Sequence, residues 1–231
     1  YEAVNSYKYI FHDLVARINK EIAALEKRTG RRFGDPDNPL LLSVRSGATI
    51  SLPGMMRSFL NVGINTSIAE SLASKKEFRW AAWDSYRRFL QTWGMFHGLS
   101  RDFFDAIIDD FKLRYGVERK IKFPPELMKE IALAYKKGIL DSGLPLTDDP
   151  ARQLRQAILH VFESWHSEQA KIYRRQLHLS DEWGTAVIVQ AMVFGNYHER
   201  SGSGVIFTRD PKSFSSDVAI YGDFIFGVQG D

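Results

Sequence analysis

The sequence predicts an α+β fold, with strand-bearing regions toward both ends of the chain and a long helical stretch between them. Three observations carry this. Apolar residues recur at spacings of three and four through most of residues 68–177. A short apolar run with Pro and Gly on its flanks, Leu40 to Val44, precedes that stretch. After Asp181 the spacing changes to two, in runs rich in β-branched residues. Spacings of three and four line one face of a helix, whereas alternation lines one face of a strand.

The first element is helical. Tyr7, Phe11, Leu14, Ile18, Ile22 and Leu25 form one apolar stripe. Asn5 or Ser6 can cap its start, and Gly30 can end it. Residues 31–39 hold Gly34, Pro36 and Pro39 and read as a turn region. Leu40 to Val44 reads as a buried strand that ends at Arg45. Residues 46–65, rich in Gly, Ser, Asn and Met, read as a loop, and loops carry binding groups more often than packed elements do.

The helical stretch follows. Trp80, Trp83, Tyr86, Leu90 and Trp93 share one face, as do Phe103, Phe104, Ile107, Ile108 and Phe111. Asp149 before Pro150 reads as an N-cap with proline at the first helical position, and Leu154, Ile158, Val161, Phe162 and Trp165 then mark a face. Residues 120–125 and 141–150 are the expected connections. Strands are expected over residues 186–194, 205–208 and 218–226, antiparallel in arrangement, with Gly202-Ser203-Gly204 as a turn between the first two. These readings divide the chain into 1–67, 68–183 and 184–231.

Composition excludes several classes. The 231 residues carry 31 Lys and Arg against 28 Asp and Glu, a net +3. The two signs are interspersed, so no basic face of the kind nucleic acid requires is expected. There is no cysteine, which excludes disulfides, thiolate nucleophiles and Cys-ligated zinc. That suits a reducing compartment, and a cytoplasmic location is the expectation. No apolar run is long enough to span a bilayer, so no membrane partner is expected. Both ends of the chain read as cuts. The six histidines form no metal-binding spacing, and His97, His160 and His166 read as core or surface residues.

Four groups of residues can carry chemistry. Arg45 is followed by Ser46, Gly47 and Ala48. A guanidinium fork matches phosphate oxygens, and small residues let backbone N–H groups approach an anion. A structural ion pair fits the same arginine equally well. Gly202, Ser203 and Gly204, with Thr208 and Arg209 behind them, can close over a polyphosphate, or can form a plain hairpin turn. The strand holding Gln190, Met192 and Val193 can form one wall of an adenine pocket, or an ordinary core strand. Asp223 and Asp231 are carboxylates among apolar residues, and magnesium is one partner that would offset their burial. Eight residues of straight strand span about 26 Å, so both reach one metal only if the chain turns between them.

The literal strings add a resemblance. Ser43-Val44-Arg45-Ser46-Gly47-Ala48, Pro53-Gly54-Met55-Met56 and Leu60-Asn61-Val62-Gly63-Ile64-Asn65 resemble the arginine-loop signature of pyruvate phosphate dikinases. Asp84-Ser85-Tyr86-Arg87-Arg88-Phe89, the run from Trp183 to Asn196, Ser201 to Val205, Phe207 to Pro211 and Tyr221 to Phe224 are similar to further stretches of that family, in its order. The resemblance covers residues 38–231. It implies an ATP-grasp-like nucleotide-binding region with a large helical insert, and ATP and Mg2+ as cofactors. It implies that the family's phosphoryl group passes from ATP to an enzyme histidine and on to pyruvate, giving phosphoenolpyruvate, AMP and pyrophosphate. It further implies that Arg45 holds phosphates and offsets developing charge. Gln190, Met192 and Val193 would line the adenine, and Gly202, Ser203, Gly204, Thr208 and Arg209 would lie near the phosphates. Asp223 and Asp231 stand where the family has glutamates, Asp231 at its magnesium position. The implied partners are ATP or AMP and the phosphohistidine and pyruvate-binding domains of a longer enzyme, with a homodimer left open. On its own the chain is expected to be inactive. The family's early Gly-Gly-Lys-Gly motif has no match, and Tyr197-His198-Glu199-Arg200 is bulkier than its counterpart. A phosphoenolpyruvate synthase-like relative, or a non-catalytic homologue acting as an interaction module, are the alternatives.

Overall fold

The computed structural model describes residues 7–47, 54–180, 182–197, 200–209 and 220–229. The chain opens with helix α1 (Tyr7–Thr29), stopped by Gly30 at φ 67°. Strands β1 (Leu42–Ser46) and β2 (Ser58–Val62) follow. Six helices come next: α2 (Thr66–Ser74), α3 (Arg79–Phe96), α4 (Arg101–Tyr115), α5 (Pro125–Asp141), α6 (Pro150–Ser164) and α7 (Glu168–Gln176). Strands β3 (Val187–Ala191), β4 (Gly202–Phe207) and β5 (Tyr221–Phe226) complete the order.

The helix starts follow local chemistry. Asn65, Ser100, Asp149 and Ser167 each accept a hydrogen bond from a backbone N–H in the first turn that follows. That satisfies donors the helix itself leaves unpaired. Pro125 and Pro150 occupy first positions where a missing N–H costs nothing. Gly116, at φ 64°, closes α4 and donates to the Lys112 carbonyl.

The β-strands form two sheets. The first is ordered β2-β1-β3 with every pair antiparallel, and the second is the β4-β5 hairpin. The expected loop over residues 46–65 is therefore corrected, because it contains β2. Phe59 and Val62 explain this. Both are fully buried opposite the β1 residues Val44 and Leu42. The lengthwise pattern had been masked by Asn61, which takes φ 60° and interrupts alternation. Register puts Leu42, Val44, Val187, Val189 and Ala191 on one face of the sheet and Ser43, Arg45, Ile188 and Gln190 on the other. The first face meets the helices, with α6 packing across the strands and α3 against β2.

One buried polar side chain fastens the turn after β2 to α6. Gln153 accepts from the Gly63 N–H at 2.9 Å and donates to the carbonyls of Ile64 at 3.0 Å and Thr147 at 2.9 Å. Gly63 sits at φ 98° with the Phe33 ring where a Cβ would lie. Both features force this turn into one shape. Gln153→Leu keeps volume but strands one donor and two acceptors. It is expected to lower unfolding stability by about 1–3 kcal/mol, read from urea unfolding with an unchanged m value.

Candidate functional site

Arg45 and Gln190 meet on the sheet face that the helices leave uncovered. Gln190 pairs with Ser43 and Ile188 with Arg45, so the two long side chains are diagonal neighbours. Arg45 Nη2 donates to Gln190 Oε1 at 2.5 Å. A phosphate-side and an adenine-side residue from the sequence reading are thus in direct contact. The amide carries no charge, so Arg45 keeps its own. Among the described residues Arg45 forms no ion pair, and its Nε is buried with no hydrogen-bond partner.

Several sequence expectations need correction. Arg45 does not end β1; Ser46 does, and register puts the Arg45 side chain on a face of the sheet. The Gly47 N–H donates to the Ala186 carbonyl at 2.7 Å, so that amide is not free to cradle an anion. Met192 is buried, and its N–H donates to the Leu41 carbonyl at 2.8 Å, so that donor is not available to a purine. Val193, one residue on, is 86% exposed. Gly202, Ser203 and Gly204 are not a turn. They form the first half of β4 and pair with Phe226, Ile225 and Phe224. The glycines there reflect strand approach, since a Cβ at Gly202 would lie 2.8 Å from the Ile225 carbonyl oxygen. Thr208 and Arg209 follow β4 and are exposed. Asp223 is exposed on β5 rather than buried, so burial does not require a partner for it. Asp231 lies outside the described residues, as do Ala48, Pro53, Asp210 and Pro211. Among the described residues no three acidic or histidine side chains gather as a metal site.

A second cationic feature is built on α3. α3 carries Asp84, Arg87 and Arg88, spaced so that both arginines fall back onto the carboxylate. Arg87 Nε and Nη2 reach Asp84 Oδ1 at 2.9 Å, Arg88 Nε reaches Oδ2 at 2.9 Å, and Lys120 Nζ reaches Oδ1 at 3.2 Å. Asp84 is 1% exposed. Burial alone would raise its pKa, but the charges of Arg87, Lys120 and Arg88 outweigh burial and hold the carboxyl far below the carboxylate range. Lys120 is pushed down to about 8, first by burial and then by Arg87 and Arg88, with Asp84 opposing.

These side chains line a cleft of about 650 Å³. Five cationic groups, Arg87, Arg88, Arg101, Lys112 and Lys120, face two carboxylates there, Asp105 and Asp109. The surplus is positive even with Asp84 beneath. Leu60 of β2 also lines this cleft, two residues from Ser58, the pairing partner of Arg45. A neighbouring cleft of about 510 Å³ shares Thr92 and Met95 with it and is lined by Met55 and Met56. Behind that cleft Phe96 stacks on His160 at 3.6 Å between ring centroids, with His97 at 5.3 Å, so these two histidines belong to an aromatic cluster.

A family model described as pyruvate phosphate dikinase, AMP/ATP-binding domain, matches residues 9–229. The chain belongs to that family. It is 40% identical to the pyruvate, phosphate dikinase of Rhizobium meliloti over 235 residues, covering 99% of this chain and 26% of the relative. The pyruvate, phosphate dikinase of Clostridium symbiosum is also 40% identical, over 233 residues, with 100% and 26% covered. Pyruvate, phosphate dikinase 1, chloroplastic, of Zea mays is 41% identical over 220 residues, with 94% and 23% covered. The chain thus spans about a quarter of the length of the curated relatives it matches. The mixed helix-and-strand architecture agrees with the α+β, ATP-grasp-like class expected for this family. Among the described residues no helix is long and apolar enough to cross a membrane.

The dikinase-family domain holds residues that motif reading passed over. Lys120 lies in an inter-helix connection, and its pairing with Asp84 crosses 36 positions, beyond any local pattern. Arg87 and Arg88 had carried resemblance without a role. An acid followed at three and four by two arginines on a helix is the signal that could have found them. Asp84→Asn leaves three cations around a buried neutral amide. It is expected to cost about 3–5 kcal/mol, read from chemical unfolding at neutral pH. The wild-type contribution is complete above the ordinary carboxylate pKa and is lost only in strong acid, because the folded pKa is depressed.

Proposed function

We propose that this chain is the ATP-binding part of a pyruvate phosphate dikinase. The observation that carries the reading is an arginine, Arg45, held by the neutral amide of Gln190, together with a cationic cleft on α3, in a member of an AMP/ATP-binding domain family. In this reading the triphosphate lies between Arg45 and the Arg88–Lys120 side of the cleft. Gln190 then exchanges its bond with Arg45 for one with the ligand, and the guanidinium turns its free donors to phosphate oxygens. Fixed cations of this kind lower the cost of charge moving onto the leaving phosphates. Magnesium enters as the ion that accompanies ATP.

The chain's residues bind and orient. The acceptor histidine and the pyruvate site belong to other parts of a relative-length enzyme. The full reaction would carry the phosphoryl group from ATP to that histidine and on to pyruvate, forming phosphoenolpyruvate, AMP and pyrophosphate. By itself the chain is expected to bind nucleotide without turning over pyruvate.

Two measurements test this. Calorimetry should give saturable Mg-ATP binding to the wild type, weakened at least tenfold by Arg45→Ala. A tenfold loss corresponds to about 1.4 kcal/mol. Absence of wild-type binding at millimolar ATP removes the reading's basis, and an unaffected Arg45→Ala removes the phosphate role. The second measurement uses pH. Lys120 is charged below about 8 and loses its proton above it. An anion beside it favours the charged form, so ATP affinity should hold steady up to that pH and fall beyond it. Lys120→Gln should bind more weakly at pH 7 and lose that fall.

A further inference from the structure

The β4-β5 hairpin shows most of its apolar side chains to solvent, including Ile206, Phe224 and Ile225. Few contacts therefore hold it to the rest of the molecule, and its position depends on what happens at its base. Two features meet there. Gly195, four residues after β3, lies so close to Ser203 and to the Val228 carbonyl that a side chain would overlap both. Beside it, Gly227 at φ 67° turns the chain out of β5 and delivers Gln229 into the interior at 2% exposure.

Gln229 meets Asn61, which is fully buried on β2. The two amides pair reciprocally. Asn61 Nδ2 donates to Gln229 Oε1 at 3.2 Å, and Gln229 Nε2 donates to Asn61 Oδ1 at 2.9 Å. Asn61 Nδ2 also donates to the Ser85 carbonyl at 3.2 Å. Ser85 is the neighbour of Asp84, which gathers Arg87, Arg88 and Lys120. A single side chain thus ties the base of the hairpin to the turn of α3 that builds the cationic cleft. The left-handed backbone of Asn61 aims that side chain, a conformation asparagine tolerates better than most residues.

We propose that the Asn61–Gln229 amide pair is the latch that sets the β4-β5 hairpin against the cationic cleft, with Gln229 a positioning residue for nucleotide. The nucleotide half of this rests on the ATP-binding reading above. The latch itself does not. A reciprocal amide pair holds register in both directions, because each group is donor to the other's acceptor. It is also openable. A formed hydrogen bond contributes little net free energy, whereas an unmatched buried partner is costly. Changing one donor to an acceptor therefore converts the latch from closed to open without removing volume.

Gln229→Glu makes that change. At pH 7.5 its carboxylate confronts Asn61 Oδ1, and at pH 5 a protonated carboxyl can donate again. Hydrogen exchange of the full chain without nucleotide, corrected for intrinsic rates, should show β4 and β5 amides exchanging at least tenfold faster than wild type at pH 7.5. The excess should shrink toward pH 5, with α3, α5 and α6 unchanged. Mg-ATP affinity should fall at least fivefold at pH 7.5. Gln229→Met, which cannot be rescued by acid, should show the exchange effect at both pH values. Unchanged hairpin exchange in both variants overturns the latch. Acceleration spread over the helices, with a matching loss of thermal stability, also overturns it, because the pair is then a general core contact. If the wild type binds no ATP while the hairpin still responds as described, the latch stands and the nucleotide reading falls.

Discussion

The arrangement rests on a carboxylate that solvent hardly reaches. Asp84 sits inside α3 with three cations around it, and each of the three comes from a position the fold has to supply. Arg87 and Arg88 come from the next helical turn. Lys120 comes from the connection between α4 and α5, so its approach fixes that connection against α3. The Tyr135 ring of α5 lies under Arg87, 5.8 Å from its guanidinium carbon, and the Tyr135 hydroxyl donates to the Phe104 carbonyl of α4 at 2.9 Å. One buried negative charge thereby organises three helices. Burying an ion without such company would cost several kcal/mol. The outward result is a positively charged wall in which Arg88 and Lys120 are held from beneath by Asp84.

The chain holds its cations in two different ways. Arg88 and Lys120 are anchored by a full countercharge, which sets their geometry but spends part of their field. Arg45 is anchored by the neutral amide of Gln190, which sets its direction and leaves its charge intact. Gln190 has a donor amide of its own and can serve a ligand once Arg45 is released. That division of labour explains why a glutamine, rather than an acid, suits this place on β3. A carboxylate there would hold Arg45 more strongly and neutralise its charge.

Much of the fold was legible because helix geometry is local. The stripes over α3, α4 and α6, the caps at Asp149 and the stop at Gly30 all depend on residues within one or two turns of each other. β2 was not legible, because Asn61 breaks its alternation and the strand exists through pairing with β1. The glycines of β4 misled for the same reason. Gly-Ser-Gly reads as a turn until a partner strand claims it. At the candidate site, Arg45 and Gln190 were individually visible from their strands, yet their contact spans 145 positions. Lys120 and Gln229 were hidden entirely, since their roles are set by Asp84 and Asn61, far away in the chain.

The same distance effect bears on how the hairpin and the cleft are coupled. Asn61 touches both at once: its backbone lies in the sheet beside Leu60, which lines the cleft, and its amide reaches Gln229 beyond the hairpin. Any shift of α3 that moves Asp84 also moves the Ser85 carbonyl, which takes a hydrogen bond from that amide. The amide has two donor hydrogens, and both are in use. It cannot follow Ser85 without loosening Gln229. A short chain of covalent and hydrogen bonds thus connects the Asp84 turn of α3 to the base of β5. The route runs through buried groups, where leaving one partner unmatched is costly.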